Sequence, residues 1–482
     1  MVLRRFTLTL KVILSSVLLA ACGGGGSGGG GNGQAPTATL TAPANFADNL
    51  TGSVVLSANA TDDVGVASVE FQVDGKQVAS TSSGPPYLTS VNTANYAAGQ
   101  HVVRARARDG AGNTSGWASA TVRFGGSAGL PQGFSKNEAW ISGLTSATAM
   151  AQAPDGRLFV AEQGGTIRIV KNNNLLTAPF LSLAVDSTQE RGVIGIALHP
   201  DFANNAFVFV HYTTGVAPIH NRISRFTVNG NNPDLVSANS EVFIADLPAL
   251  SAATNHNGGA IHFGTDGQLY VGVGDNANTA LSQDLNSPLG KLLRFNIDGS
   301  IPSDNPICNT AGQQRCAIWA YGLRNPFTFA LQPGTGRIHI NDVGQNTWEE
   351  INLGAAGANY GWSASEGPDN INPGIARPIF TYKHSAATPA GSGEGGFFTG
   401  FSIAGGAFYP SSGANAVFPA EFRGNYFFAD YISKFVGVLD LANGNVAYSF
   451  ASLAGNPVDM LVGLDGALYV LTRGAITRIS TP

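Results

Sequence analysis

Charge is scarce in this chain. Only 12% of its 482 residues are Asp, Glu, Lys or Arg, about half of the ~25% usual in soluble domains. That shortage excludes a charge-rich disordered chain and a coiled coil, which is built on Ala, Glu, Lys and Arg. The Lys and Arg present are scattered and the net charge is −5, so there is no basic footprint for nucleic acid. Cysteine is almost missing, with three residues. No His-Glu-x-x-His zinc-protease signature occurs. Glycine is plentiful instead: 62 residues, about 13% against a usual ~7%. It lacks the every-third-position period of collagen. With 43% apolar residues, the chain reads as a large, turn-rich globular protein, most simply all-β.

The N-terminus carries Arg4 and Arg5, then a mostly apolar stretch over residues 6–21, then Cys22. The stretch spans 16 residues and contains Lys11, too short for the ~20 apolar residues of a membrane span. It reads as a secretory signal over residues 1–21. Leu19-Ala20-Ala21-Cys22 resembles the lipobox of bacterial lipoproteins. The resemblance implies cleavage before Cys22, lipidation of that residue and a membrane anchor. In a Gram-negative host it implies the outer membrane. Residues 23–33 hold nine Gly, one Ser and one Asn, a flexible coil reaching roughly 20 Å, so 22–35 form a tether. Once Cys22 is lipidated, Cys308 and Cys316 remain, eight residues apart in a polar loop stretch. In an oxidising compartment they read as a disulfide.

Residues 36–124 alternate apolar and polar residues, as in Ser53–Asn59 and Gln100–Asp109. That is the period of half-buried strands. Asp74-Gly75 and Asp109-Gly110 supply turns. Strands at such spacing suggest a sandwich. The run Asp62-Asp63-Val-Gly-Val-Ala-Ser-Val-Glu-Phe, followed by Val73-Asp74-Gly75, resembles bacterial immunoglobulin-like modules. The segment is read as a spacer, with a carbohydrate- or partner-binding module as the alternative. Asp62-Asp63 reads as a solvated loop.

From residue 130 to 482 a turn followed by a short apolar strand recurs six times. The copies begin at Pro154, Asn204, Thr265, Gly334, Gly424 and Leu464. Intervals run from 40 to 90 residues, so the connecting loops differ. Six such repeats suggest a six-bladed β-propeller, with functional residues on loops at one end of its channel. A large irregular sandwich is the alternative.

Five polar, Gly-bearing stretches stand out at strand ends: Gln189–Phe202, Asn255–Gly267, Leu289–Gly299, Ile318–Pro326 with Asp342–Asn352, and Gly424–Tyr431. In this order they resemble the glucose/sorbosone dehydrogenase family, propellers that use pyrroloquinoline quinone (PQQ) to oxidise sugars. The resemblance implies a PQQ-dependent aldose dehydrogenase that turns the anomeric carbon into a lactone. It also implies a sugar substrate, a quinone or cytochrome electron acceptor, and calcium. His256, in an open Asn-His-Asn-Gly-Gly turn, suits a general base, and the family's base aligns with it. A turn-fixing histidine is the alternative. His199 and His262 read as turn and strand residues. The family's Arg-Asn pair for the quinone matches Arg324-Asn325; a salt bridge of Arg324 with Glu349 or Glu350 is the structural alternative. The family's calcium, held largely by main-chain oxygens, maps to Gly344 and Gln345.

The resemblance has departures. Glu190 stands where the glucose enzymes have Gln, an unfavourable change beside an anionic cofactor unless Arg191 offsets it. Their Lys corresponds to Pro410, after Tyr409. Their two late Arg residues fall in a stretch holding only Lys434. Arg473, Arg478 and Lys383 are candidate substitutes. The expected cofactor contacts are thus Glu190, Arg191, His256, Arg324, Asn325 and Lys434, with His256 and Arg324 catalytic. The lost contacts leave a second function open: a non-catalytic propeller that binds glycan or protein.

Overall fold

The computed structural model describes residues 33–125, 129–308, 314–369, 371–385 and 395–482. The signal stretch, Cys22 and the glycine run to residue 32 lie outside them.

Two sheets form the N-terminal domain. One has the order β1 (Thr37–Ala42), β2 (Ser53–Thr61), β5 (Tyr87–Asn92). The other has the order β4 (Lys76–Thr81), β3 (Val66–Val73), β6 (Gly99–Asp109), β7 (Ala118–Phe124). Alternation does the folding here. On β2, Val54, Leu56, Ala58 and Ala60 face inward, against Val69, Phe71 and Val73 of β3. Asp74 and Gly75 both take positive φ, 52° and 79°, the requirement of a two-residue hairpin turn. Asp62 accepts the Val64 and Gly65 N–H groups at 3.0 and 2.8 Å, which closes the exposed loop.

Six further antiparallel sheets follow, each led by an inner strand: β9 (Ala147–Gln152), β14 (Val193–Leu198), β18 (Ile261–Phe263), β22 (Pro326–Leu331), β26 (Ile403–Phe408) and β30 (Pro457–Val462). Each inner strand packs beside the next blade, and β30 returns to β9. The ring is therefore a six-bladed propeller. β8 (Ser135–Ser142), from the start of this domain, pairs with β32 (Ala475–Ser480) and completes the last blade. The ring is closed by strand pairing between its two chain ends.

All six sequence repeats fall on the second strand of a blade: β10 (Leu158–Glu162), β15 (Phe207–Thr213), β19 (Leu269–Val273), β23 (Ile338–Asp342), β27 (Tyr426–Asp430) and β31 (Leu468–Thr472). These strands are buried almost end to end. A second strand has a strand on either side and a neighbouring blade on either face. It therefore reads as a continuous apolar run rather than an alternation. Cys308 and Cys316 are bonded, with Cα atoms 4.4 Å apart.

Candidate active site

The second strands end, or are followed within two residues, by a polar side chain: Glu162, Thr213, Asp275, Asp342, Asp430 and Arg473. Several of these are buried carboxylates that hold the loops leading into inner strands. Asp342 accepts the N–H groups of Arg324 and Asn325 at 2.9 and 2.7 Å. Asp430 accepts those of Phe401 and Ser402 at 2.9 Å each. Glu162 accepts Thr145 N–H at 2.7 Å. Because inner and second strands are antiparallel, these ends gather at one mouth of the channel. There a pocket of about 550 Å³ opens, lined from all six blades.

His256 forms one wall. Its Nδ1–H donates to Asp275 Oδ1 at 2.7 Å. Asp275 is fully buried and also accepts Ala277 N–H at 2.8 Å and Trp362 Nε1–H at 2.9 Å. Its oxygens are engaged by three donors, and the one facing Nδ1 fixes the imidazole tautomer. The other ring nitrogen, Nε2, is left as the acceptor. His256 itself sits at φ 56°, a left-handed conformation uncommon for a side-chain-bearing residue. Glu190 holds it there by accepting His256 N–H at 2.7 Å, and it also takes Asn325 Nδ2 at 3.5 Å. Glu190, Asn325 and His256 are thus brought together at the pocket, and Glu190 acts as a strut for the histidine loop.

Arg324 lines the same pocket, with its guanidinium 5.7 Å over the Trp362 ring. Its guanidinium donates to Gln345 Oε1 at 2.8 Å and to Val343 O at 2.9 Å. The salt bridge with Glu349 or Glu350 does not form: Glu349 pairs with His384 and Glu350 accepts from Asn352. Gly344 and Gln345 also line the pocket. The N–H groups of Gln345, Asn346 and Thr347 converge on Glu366 Oε1 at 2.9 Å each. In a trans peptide the carbonyl points opposite the N–H. The oxygens of Gly344 and Gln345 therefore face away from Glu366, as hard donors of the kind calcium takes.

Two expected contacts lie elsewhere. Arg191 is bound to Asp186 at 2.7 Å and to the carbonyls of Ser251 and Ala253; it braces a loop, because a carboxylate lies closer to it than the pocket does. Lys434 reaches Ala454 O at 3.2 Å on the outside of its blade. Of the candidate substitutes, Arg478 pairs with Asp465 at 2.7 Å and Lys383 stacks over Trp348. Tyr409 is buried and bonds Gly466 O at 2.7 Å. His199 accepts Asp201 N–H at 3.0 Å in its turn. Buried His262 lies against Phe329, and burial draws its pKa down to about 4.

Arg473 does line the pocket. It donates to Ala147 O at 3.1 Å and to Gln163 Oε1. Burial draws its guanidinium below the usual range, a cost that a bound anion would relieve. Arg324 and Arg473 thus present two cations whose side-chain hydrogen bonds run to neutral oxygens only. A polyanion the size of PQQ fits that pocket and charge. Sequence reasoning missed the His384–Glu349 pair on the same wall. His384 Nε2–H donates to buried Glu349 at 2.7 Å, and Glu349 in turn accepts Ile403 N–H at 2.8 Å. Its only sequence signal is a histidine one residue past the strand β25 (Phe380–Lys383).

The family described as Glucose / Sorbosone dehydrogenase matches residues 144–480, and the one described as Bacterial Ig domain matches residues 36–105. The aldose sugar dehydrogenase YliI of Escherichia coli is 29% identical over 359 residues, which is 69% of this chain and 89% of that protein. The apo-form structure of the soluble aldose sugar dehydrogenase of Escherichia coli superposes with a TM-score of 0.61 at 25% identity, over 72% of this chain and all of that one. The PQQ-bound aldose sugar dehydrogenase of Streptomyces coelicolor shares the fold, with a TM-score of 0.59 at 24% identity over 73% of this chain and all of that one.

Proposed function

The chain belongs to the glucose/sorbosone dehydrogenase family, and we propose that it is a PQQ-dependent aldose dehydrogenase with His256 as general base. The observation that carries this reading is the His256–Asp275 dyad opening into a pocket flanked by Arg324 and Arg473. When bound, PQQ would supply an electrophilic quinone carbon as the hydride acceptor. His256 Nε2 takes the proton from the anomeric hydroxyl. Asp275 stabilises the imidazolium that results, because its carboxylate already accepts Nδ1–H at 2.7 Å. Arg324 and Arg473 hold the carboxylates of the cofactor, with Asn325 beside them. Arg473 takes over the anion-binding work expected of Lys434. The main-chain oxygens of Gly344 and Gln345 would hold calcium. The product is the lactone, and the electrons leave to a quinone or cytochrome acceptor.

We read the N-terminal segment as a lipoprotein signal, so that acylated Cys22 and the glycine-rich tether keep the enzyme at the cell-envelope membrane, within reach of such acceptors. Incorporation of labelled palmitate that is lost in Cys22→Ala checks this.

The test of the activity is titration of the purified protein with PQQ and Ca²⁺, followed by absorbance. A dye-linked assay over a sugar panel then follows. Saturable binding with sugar oxidation that vanishes in His256→Ala is expected. Absence of PQQ binding would instead favour the glycan- or protein-binding propeller.

A further inference from the structure

The N-terminal domain does more than space the propeller from a membrane, since it touches the segment that forms one rim of the pocket. Its strand β6 packs on β29 (Val446–Ser452), the outer strand of the blade led by β26. Gly99 passes so close to that strand that a Cβ there would lie 2.3 Å from Ser449 Oγ. Gln100 follows, buried, and makes three hydrogen bonds across the interface. Its N–H donates to Ser449 Oγ at 2.9 Å, and its Nε2–H donates to Ala447 O at 2.6 Å. Its Oε1 accepts Phe397 N–H at 2.6 Å. One amide side chain therefore ties together two separate parts of the propeller.

Phe397 is held from the same domain by two further contacts. Phe46 meets its ring edge-on at 6.0 Å, and the Arg123 guanidinium lies 5.2 Å over it. Gly395 and Gly396 precede it at φ 81° and 55°. Glycine is suited to those angles and carries the largest entropy to lose. A Cβ on Gly396 would lie 2.2 Å from Gln100 Oε1, so only glycine fits at that position against the N-terminal domain. Four residues beyond Phe397 stands Phe401, which lines the pocket with Ser402. Phe401 is 51% exposed, and its ring lies 5.5 Å from that of His384.

We propose that the immunoglobulin-like domain is a built-in part of the active site. Through Gln100, Phe46 and Arg123 it sets the position of the rim segment 395–402, and thereby of Phe401 beside His384. Gln100 is a positioning residue: it touches neither the pocket nor its charged groups. The mouth is where a sugar enters, so the domain tunes sugar binding. It leaves the base and the cofactor contacts alone. That kinetic consequence rests on the dehydrogenase reading; the positioning itself does not.

Gln100→Ala in the full chain tests it, with Phe46→Ala as a second variant that leaves the interdomain hydrogen bonds in place. Amide hydrogen exchange is the first readout. Protection is expected to fall at Phe397 and also at Phe401 and Ser402, while amides of β10 and β31 keep theirs, which shows that the propeller stays folded. With PQQ loaded, the KM for sugar should rise about 3- to 10-fold, the scale of losing one hydrogen bond. The kcat should stay within twofold and PQQ affinity should not change. Exchange at Phe401 and Ser402 identical to the parent in both variants would overturn the proposal, with or without activity. An enzyme that oxidises no sugar overturns the dehydrogenase reading instead and leaves the exchange result to decide.

Discussion

Replacing Asp275 with Asn changes one atom of a fully buried side chain and disturbs three donors at once. His256 Nδ1, Ala277 N and Trp362 Nε1 lie 2.7, 2.8 and 2.9 Å from its two oxygens. An amide offers one acceptor oxygen and one NH₂. If the NH₂ faces Trp362, the indole N–H loses its acceptor, and the imidazolium formed on proton uptake no longer has a carboxylate beside it. If the NH₂ faces His256, the imidazole must present a bare Nδ1 and carry its proton on Nε2. The nitrogen facing the pocket then cannot accept a proton. The first arrangement weakens the base and the second abolishes it. Positioned general-base catalysis contributes roughly 10²–10⁴-fold, which is about 3–5 kcal/mol of barrier. The dye-linked kcat of PQQ-loaded Asp275→Asn should therefore fall by about 10²–10⁴. PQQ affinity should hold within about threefold, since the Asp275 side chain bonds neither pocket-facing arginine and its one bond to them, backbone N–H to Arg324 O at 2.9 Å, is kept in the variant. A kcat within threefold of the parent would refute the dyad as the proton acceptor.

Three other outcomes follow from the same geometry. Arg473→Leu should weaken PQQ binding by about tenfold or more in an absorbance titration, the scale of a charge-assisted hydrogen bond, whereas Arg191→Leu should lower the melting temperature with little change in PQQ affinity. Asp459, half-buried on inner strand β30, accepts Met150 N–H at 2.8 Å, and the burial of its carboxyl pushes it up to about 7. The folded state then holds a proton that the unfolded chain has released. Its contribution to stability should be full below about pH 4 and be lost from there to about pH 7, by up to about 1.4 kcal/mol per pH unit. Buried Asp342 and Glu350 are raised in the same way, so urea unfolding of Asp459→Asn should show a shallower slope over this window, and an unchanged slope would contradict the assignment. Glu190→Ala should lower kcat without weakening PQQ binding, because its carboxylate holds the His256 backbone at φ 56° and adds a negative charge to the pocket.

The fold was legible because burial leaves a linear trace. Each second strand is enclosed on all sides, so each must be a short apolar run. Six enclosed strands in 350 residues of sequence leave little but a six-bladed ring. The alternation in β2 marked the sandwich for the same reason, whereas β6 alternates in sequence but is buried on both faces over Gln100–Ala105, because its polar face packs on β29. Two parts of the site were legible because they are local: His256 sits in a Gly-bearing turn of its own, and Arg324-Asn325 stand together at the start of an inner strand. The rest is assembled from strand ends far apart along the chain. Whether Arg191, Lys434 or Arg473 reaches the pocket depends on which carboxylate or carbonyl captures each guanidinium or ammonium first. The His384–Glu349 pair depends on two strands of one blade meeting 35 residues apart. The contact of Gln100 with Phe397 joins residues 297 apart, across two domains. Residue pattern by itself determined what must be buried and how many blades that burial requires. Only the tertiary structure decided which charges face the pocket and which domain holds its rim, because side-chain direction at a strand end is set by neighbours that the local sequence does not contain.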